Sequence, residues 1–290
     1  MTFPFIGSSF YLIIHPFQMT LFLLKIKHQT SSHHPSNSQT SSPHLPSSHL
    51  PIVHRKSFHP NIFPFPIKTY IPKTPENVYL CQTMQKQAAQ INRMAVVVTA
   101  AGFSGRMGIP KAALAFDEKF TFAEQITQTF LKAGVAKVVL VVNADGMKQL
   151  KKSLFLQEEE KVEQVFNPFP EKERFFSLQT GLKTLTGFQA VFLHNVDNPF
   201  VNTETIRQLT NCFRPGGFVV PRHNHHGGHP ILIAQEIVRD LTAFPDSTIN
   251  LRAFLSRYPK IHCPVNDDRI HININTAKEY TRYFGKPPRL

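Results

Sequence analysis

The sequence predicts a three-layer, Rossmann-like α/β fold in which helices cover both faces of a mainly parallel sheet. Over the last two thirds of the chain, short apolar runs alternate with amphipathic stretches of helical period. Runs such as Val138–Val142 are apolar throughout, which is typical of strands covered on both faces. Phe122, Ile126 and Phe130 form one helical stripe, and Gly134 follows at the position of a C-cap glycine. Together these patterns indicate βαβ units.

The individual elements follow from the same patterns in chain order. Eight short runs, most of them mainly apolar, are predicted to be strands: Ala95–Thr99, Val138–Val142, Val162–Phe166, Ala190–His194, Val219–Val220, Ile231–Ile233, Ile261–Cys263 and Ile270–Ile274. Beyond the Phe122 stripe, amphipathic runs predict helices at Phe176–Leu185, after Thr203, and at Ala234–Leu241, Asn250–Arg257 and Ala277–Tyr283. Thr203 is predicted to cap its helix, because its hydroxyl can accept a hydrogen bond from a first-turn amide.

The chain is predicted to divide at about residue 93. Residues 28–66 are dominated by Ser, His, Pro and Thr, and prolines this frequent remove amide donors and restrict their neighbours. We therefore expect residues 1–93 to be a disordered or non-native N-terminal extension and residues 94–290 to form the folded domain. Residues 1–24 are apolar but interrupted by polar residues near their middle, so a membrane anchor is not expected.

The net charge of +13 does not indicate a nucleic-acid-binding protein. Before residue 94, eight basic residues stand against a single acidic one, so this segment holds +7 of the +13. The remaining residues are only moderately basic, which suits an enzyme that handles phosphates. We therefore expect no nucleic-acid partner.

The three cysteines, Cys81, Cys212 and Cys263, are widely spaced and form no CxxC pair. We therefore expect neither a disulfide framework nor a zinc site. A reducing compartment, and hence a cytoplasmic location, is the expectation.

The most informative stretch directly follows the first predicted strand of the domain, at the end of a strand where open α/β sheets place their ligands. Small or polar residues that can bring backbone amides close to phosphate oxygens are Ala100, Ala101, Gly102, Ser104 and Gly105. Arg106 and Lys111 add two cations suited to polyphosphate. The stretch therefore predicts a binding loop for a nucleoside triphosphate.

Two known glycine-loop patterns do not match this stretch. No Gly-Lys-Ser/Thr follows it, and Gly102, Gly105 and Gly108 are spaced GxxGxxG instead of GxGxxG. A glycine-rich turn whose charges face solvent is the structural alternative. The two cations and Pro110, placed after a buried strand, favour the phosphate loop over that alternative.

The run from Ala100 to Lys111 closely resembles the nucleotide-binding loop of MobA-like nucleotidyltransferases, most of all that of the molybdenum cofactor cytidylyltransferases. The matching residues are Ala100-Ala101-Gly102, Ser104, Arg106-Met107-Gly108 and Pro110-Lys111. The resemblance spans about residues 94–280. It implies the nucleotidyltransferase fold and a loop around the triphosphate, with Arg106 and Lys111 countering its charge.

An acidic residue, Asp197, follows the predicted strand Ala190–His194. It is expected at the same sheet edge as the loop, and Mg²⁺ bound to phosphates typically takes one or two oxygen ligands from the protein. A turn aspartate that caps its own backbone is the structural alternative. Asp197 also resembles the metal-binding aspartate in the family's Gly-Asp-Gln-Pro, with Val196 and Asn198 in place of glycine and glutamine.

A second metal ligand is implied only by the resemblance. The family has an Asp-x-Asp-Thr pattern near its C-terminus, and the matching residues here are Asn273-Ile274-Asn275-Thr276. An asparagine oxygen can coordinate Mg²⁺, but the loss of formal charge should weaken metal binding. Asn273 is slightly favoured over Asn275 as the ligand.

Two further segments resemble the family. Gly228-His229-Pro230 is similar to the Gly-His-Pro motif on the acceptor side of the cytidylyltransferases. The histidines around it could form a metal cluster, but Gly227-Gly228 predicts a mobile loop there, which disfavours that alternative. Asn167 and Ser177 match the segment that approaches the nucleotide, where Arg174 replaces a small residue and resembles methylerythritol-phosphate cytidylyltransferases.

These features predict a Mg²⁺-dependent nucleotidyltransferase with Arg106, Lys111 and Asp197 as its catalytic residues. The acceptor phosphate would displace pyrophosphate from the α-phosphorus of the triphosphate. The resemblance implies CMP transfer from CTP to a phosphorylated acceptor such as the molybdopterin cofactor, and transient contact with cofactor-accepting enzymes. Two alternatives stay open: a nucleotidyltransferase for sugar or alcohol phosphates, and a non-catalytic nucleotide-binding domain.

Overall fold

A computed structural model of the chain describes residues 10–11, 24–25, 82, 85–102, 107–245 and 249–289. The chain divides into two compact units, residues 1–77 and 78–290. In the first unit, β1 (Phe10–Tyr11) pairs antiparallel with β2 (Leu24–Lys25). The predicted N-terminal extension therefore lies mostly outside the described residues.

A helix, α1 (residues 85–91), precedes the first long strand and packs within the second unit. The Ile91 side chain is buried in the hydrophobic core, and Gln90 Nε2 donates a hydrogen bond to the Thr210 carbonyl oxygen at 3.3 Å. Residues just before Met94 therefore contribute to the packing of this unit.

The second unit is built on an eight-stranded sheet in the order β10-β7-β9-β6-β3-β4-β5, with β8 paired to β7. The strands are β3 (Met94–Ala100), β4 (Lys137–Val142), β5 (Val162–Phe166), β6 (Ala190–Asn195), β7 (Phe218–His223), β8 (His226–Gly227), β9 (Ile231–Ala234) and β10 (Lys260–Pro264). The neighbours β10–β7, β6–β3, β3–β4 and β4–β5 are parallel. Only β8 and β9 pair antiparallel with their neighbours in this sheet.

The helices lie on both faces of the sheet. They are α2 (Phe122–Ala133), α3 (Ala144–Leu150), α4 (Leu154–Glu158), α5 (Glu173–Leu182), α6 (Thr203–Cys212), α7 (Gln235–Ala243), α8 (Leu251–Leu255) and α9 (Ala277–Phe284), with 3-10 helices at Lys111–Ala113, Pro170–Lys172 and Asp268–His271. Alternate residues of β3 join different core clusters, Val96 with α2 and α6, Val97 with α5 and α7. The predicted three-layer α/β fold with a mainly parallel sheet is therefore confirmed.

The Phe122 stripe forms α2 as predicted, and both ends of that helix are capped. Thr121 accepts a hydrogen bond from the Glu124 amide, and the Glu124 side chain accepts from the Thr121 amide, which completes a capping box. Gly134 ends the helix at a φ of 102°, the left-handed conformation that glycine adopts without steric cost.

Three details of the predicted elements are wrong. The run Ile270–Ile274 forms no strand; a 3-10 helix at Asp268–His271 stands there, because the Asp267 side chain caps its start by accepting from the Arg269 amide. The predicted helix Phe176–Leu185 runs instead from Glu173 to Leu182. The cap of α6 is Asn202, whose side chain accepts from the Thr205 amide, so Thr203 is already the first helical residue.

The cysteine spacing suggested no disulfide framework, but a disulfide joins Cys212 to Cys263 across 51 residues of sequence. The residues are distant in the sequence, but α6 packs next to β10 and brings their Cα atoms to 6.0 Å. Spacing along the chain carries no information on this contact. Among the described residues, no helix is both long and apolar enough to cross a membrane.

Candidate active site at the β3–β6 switch point

The site lies where the order of the strands reverses. β3 continues to β4 on one side, whereas β6 lies on the other side of β3, and both strands end at the same sheet edge. Ligands of open α/β sheets bind in the crevice at such a point. A cavity of about 250 Å³ opens here; its lining residues are Thr99, Ala100, Gly102, Lys111, Pro170, Arg174, Ser177, Asn195, Val196, Asp197 and Asn275.

The backbone after β3 forms one wall of this cavity. Ala100 and Gly102 line it, whereas Ala101 is buried and its carbonyl oxygen accepts a hydrogen bond of 3.3 Å from Asn143 Nδ2. Apart from its chain neighbours, no atom of the described residues lies within 4 Å of a Cβ built on Gly102. The predicted ligands Ser104, Gly105 and Arg106 lie outside the described residues.

Lys111 begins the 3-10 helix that ends the loop, and its side chain reaches across the cavity to the β6 side. Its Nζ donates to Asn275 Oδ1 at 2.7 Å and lies 3.7 Å from Asp197 Oδ2. Both charged side chains are largely shielded, with 18% and 14% of their surfaces exposed. Lys111 therefore links the predicted triphosphate loop to the predicted metal ligand.

Two oxygens, one on Asp197, which lines the cavity, and one on Asn273, are suited to a hard cation. Asp197 Oδ1 and Asn273 Oδ1 are both buried and have no hydrogen-bond partner among the described residues. The Ile274 amide donates to the Asp197 carbonyl oxygen at 2.7 Å, which brings the two segments together. Carboxylate and amide oxygens are typical Mg²⁺ ligands, and a buried oxygen without a partner is costly. The donor set therefore fits a divalent metal.

His229 lies beside these residues, and its Nε2 is 3.1 Å from Asn195 Nδ2. Burial, followed by the nearby positive charge of Arg174, lowers the pKa of His229 to about 4, although the Asp197 carboxylate acts in the opposite direction. Burial likewise lowers the pKa of His194 to about 3. Both imidazoles are therefore neutral near pH 7.

The described residues that line the cavity include none of the predicted acceptor motif, and Gly228 and Pro230 instead support the chain. A Cβ on Gly228 would collide with the Ile270 carbonyl group, and the His229 amide donates to the Ile270 oxygen at 2.7 Å. Pro230 is buried, behind a cis peptide bond. The predicted mobile loop beside this motif is a β-hairpin of β7 and β8, whose turn residues have positive φ angles.

Of the two residues predicted to approach the nucleotide, Asn167 and Ser177, one lines the cavity and the other is buried behind it. Ser177 lines the cavity, whereas Asn167 is fully buried and donates from Nδ2 to Ser177 Oγ at 2.9 Å. Asn167 therefore orients Ser177. Thr99 and Asn195 also line the cavity and were not predicted as site residues, although each is a polar residue near the carboxyl end of a mainly apolar strand.

Comparison with known proteins identifies the family of this fold and site. The description of a MobA-like NTP transferase domain matches residues 96–261. The chain belongs to the MobA-like NTP transferase family. It is therefore a nucleotidyltransferase, and this family acts on a nucleoside triphosphate and a phosphorylated acceptor. No curated protein sequence matches the chain.

Solved structures with low sequence identity share the fold of this MobA-like domain. Rv0371c from Mycobacterium tuberculosis is 20% identical with a TM-score of 0.57, covering 67% of this chain and 98% of its own; its complex with manganese gives a TM-score of 0.54 at 19% identity, with the same coverage. A nucleotidyl transferase from Methanothermobacter gives 0.53 at 20% identity, covering 66% and 95%. A 4-diphosphocytidyl-2C-methyl-D-erythritol synthase from Anaerococcus prevotii gives 0.52 at 15% identity, covering 68% and 99%.

Proposed function

We propose that this nucleotidyltransferase transfers CMP from CTP to a phosphorylated acceptor of the molybdopterin-cofactor class, with Mg²⁺ held by Asp197 and Asn273. The observation that carries the proposal is that two buried oxygens, Asp197 Oδ1 and Asn273 Oδ1, have no partner among the described residues, while the other carboxylate oxygen of Asp197 lies 3.7 Å from Lys111 Nζ. The choice of CTP and of this acceptor class is supported by the resemblance of the Gly102–Lys111 loop.

The metal and the protein have separate tasks in the proposed reaction. Bound Mg²⁺ would supply charge neutralisation for the phosphate oxygens. Asp197 and Asn273 would hold it, and Asn275 is less suited to do so because its oxygen already accepts from Lys111 at 2.7 Å. A protein with the same fold has been solved in complex with manganese, which supports a divalent cation as the metal.

The residues of the chain would align the substrates and stabilise charge. An oxygen of the acceptor phosphate bonds to the α-phosphorus of CTP as the bond to the bridging oxygen of pyrophosphate breaks, so pyrophosphate leaves with that electron pair. Lys111, together with Arg106 from the loop, would balance the negative charge of the departing group. No covalent intermediate on the protein is needed, because the acceptor phosphate is itself the nucleophile.

A second candidate acceptor is favoured by a specific residue. Arg174 lines the cavity and is exposed, with its positive charge near His229. An arginine at this position resembles the methylerythritol-phosphate cytidylyltransferases, which supports an alcohol phosphate as the alternative acceptor.

A substrate panel tests the proposal. The purified chain is incubated with Mg²⁺ and CTP, GTP, ATP or UTP, and pyrophosphate is measured after addition of molybdopterin cofactor or methylerythritol phosphate. We expect release with CTP and molybdopterin cofactor. Release only with methylerythritol phosphate would replace the first acceptor by the second, and no release in any combination would reject the function.

Location and partners follow the same proposal. Nucleotide transfer to a cofactor suggests the cytoplasm and transient contact with the enzymes that accept the product. The Cys212–Cys263 disulfide is more typical of an oxidising compartment. Thiol labelling of the protein in intact cells distinguishes the two, since only unpaired cysteines react.

A further inference from the structure

A second cavity lies beside the active-site cavity, and Arg174 lines both of them. Its volume is about 510 Å³, within the range of small-molecule sites. Its lining residues are Arg174, Phe175, Ile249, Asn250, Leu251 and Arg252. The proposed reaction assigns no role to residues 249–252. A ligand whose phosphate reacts in the first cavity can therefore extend past Arg174 into the second.

The described lining of the second cavity carries positive charge that no acidic side chain balances. Arg174 and Arg252 are exposed, and neither forms an ion pair among the described residues. Phe175, Ile249 and Leu251 add apolar surface. Guanidinium groups donate paired hydrogen bonds to carboxylate oxygens and phosphate-like oxygens. The second cavity is therefore suited to an anionic group of a partly apolar ligand.

The two arginines belong to helices that pack against each other. Phe175 follows Arg174 in α5, and Phe254 lies two residues after Arg252 in α8. Both phenylalanines are buried, and their ring centroids are 5.5 Å apart. Asn250 caps the start of α8. This packing holds the backbone of both arginines in place, so binding of a ligand requires only their side chains to move.

The two arginines differ in their relation to the first cavity. The pKa of His229 is lowered by burial and then by Arg174, and it is raised by the Asp197 carboxylate. The charge of Arg174 therefore acts on the same group as the charge of the proposed metal ligand. Arg252 lines the second cavity and not the first. Arg174 is thus placed near the phosphate that reacts, and Arg252 near a part of the ligand that does not react.

We propose that the second cavity binds the part of the acceptor that does not react, and that Arg252 holds a second negatively charged group there. The identity of the ligand as the acceptor rests on the proposed function. The molybdopterin cofactor carries an anionic metal–dithiolene group in addition to its phosphate, whereas methylerythritol phosphate carries only hydroxyl groups. Arg252 is therefore a specificity residue that favours the first of these acceptors, and it takes no part in the bond changes at the α-phosphorus.

Chemical protection measures this binding without turnover. Phenylglyoxal modifies accessible guanidinium groups, and peptide mass spectrometry of the full chain gives the modified fraction of Arg252. Molybdopterin cofactor with Mg²⁺, at ten times its dissociation constant, should slow the modification about tenfold, because about one site in eleven stays free. CTP alone and methylerythritol phosphate should not slow it. Protection of Arg252 by either of these two, or no protection by the cofactor, would overturn the proposal.

Arg239 is the internal control of the protection experiment. It is exposed in α7 and lines a third cavity, which shares no lining residue with the first two. Its modification should proceed at the same rate with every ligand. The ratio of the Arg252 rate to the Arg239 rate therefore corrects for any loss of the reagent to the ligand.

Kinetics test the effect of Arg252 on the reaction. Arg252→Gln should raise KM for the molybdopterin cofactor about tenfold, because one hydrogen bond between charged groups is lost. It should leave kcat and KM for CTP near wild type, since the group that Arg252 binds does not react. Arg252→Lys keeps the charge without the paired donors, and its KM should lie between the two. Arg239→Gln removes one exposed charge elsewhere and should change none of these constants.

Three kinetic outcomes would contradict the proposal. An unchanged KM for the cofactor in Arg252→Gln, an equal rise of KM for CTP, or an active acceptor without a second charge would each overturn it. Circular dichroism and the thermal midpoint check that each variant is folded. Absence of turnover in the whole substrate panel would reject the proposed function, and the protection of Arg252 would still decide whether the second cavity binds the cofactor.

Discussion

The two strand ends that form the cavity differ in how their polar groups are satisfied. After β3, the Ala101 carbonyl oxygen accepts from Asn143 and the Thr99 hydroxyl donates to Asn195, so both polar groups have partners. After β6, Asp197 Oδ1 is buried without a partner among the described residues, and so is Asn273 Oδ1, whose neighbour Ile274 donates its amide to the Asp197 carbonyl oxygen. Each such oxygen costs about 1–3 kcal/mol. The polar groups at the β3 end are thus satisfied within the protein, whereas a bound cation would satisfy the two oxygens at the β6 end.

The largest effect expected from this difference is that of Asp197→Ala. The change removes the only charged oxygen of the proposed metal pair, and pyrophosphate release should fall by about 10²–10³. The free energy of unfolding should change little, because the buried oxygen without a partner is removed together with the Lys111 ion pair. Pyrophosphate release and urea denaturation measure the two quantities.

Asp145→Ala is the control for Asp197→Ala. Asp145 is an exposed aspartate in the first turn of α3, and its loss should leave turnover at the wild-type rate. If Asp197→Ala turns over as fast as Asp145→Ala does, the β6 end does not bind the metal. The difference in hydrogen bonding between the two strand ends would then have no role in catalysis.

The next largest effect is the loss of stability expected when the disulfide between Cys212 and Cys263 is reduced. Cys212 ends α6, the helix that follows Asp197, and Cys263 lies in β10, the strand that leads to Asn273. Closing a 51-residue separation should stabilise the fold by about 4 kcal/mol, chiefly by restricting the unfolded chain. Urea denaturation with and without dithiothreitol measures this difference. Cys212→Ser should remove the response to the reductant, and a wild-type midpoint that does not respond would show that the bond does not form in solution.

The sequence predicted the shape of the β3 end better than the contacts of the β6 end. Strand and helix periods identified the sheet, and a glycine-rich loop after an apolar strand identified the cavity, because local patterns determine these features. The contact of Lys111 with Asn275 joins residues 164 positions apart, and the Cys212–Cys263 bond joins distant elements. Neither leaves a periodic signal in the sequence. Thr99 could have been identified, since a polar residue at the end of a buried apolar strand is unusual.

The smallest expected effect distinguishes Asn273 from Asn275 as the metal ligand. Asn273→Asp adds a negative charge at an oxygen without a partner, so Mn²⁺ affinity should rise about tenfold, which paramagnetic titration of free Mn²⁺ measures. Asn275→Asp places the same charge where Lys111 Nζ already lies, 2.7 Å from Oδ1. An ion pair would neutralise the new carboxylate, and the affinity should change much less. A larger gain in Mn²⁺ affinity from Asn275→Asp would instead identify Asn275 as the metal ligand and Lys111 as the group that competes with the metal for its oxygen. Lys111 would then block the metal site until its side chain moved to a bound triphosphate.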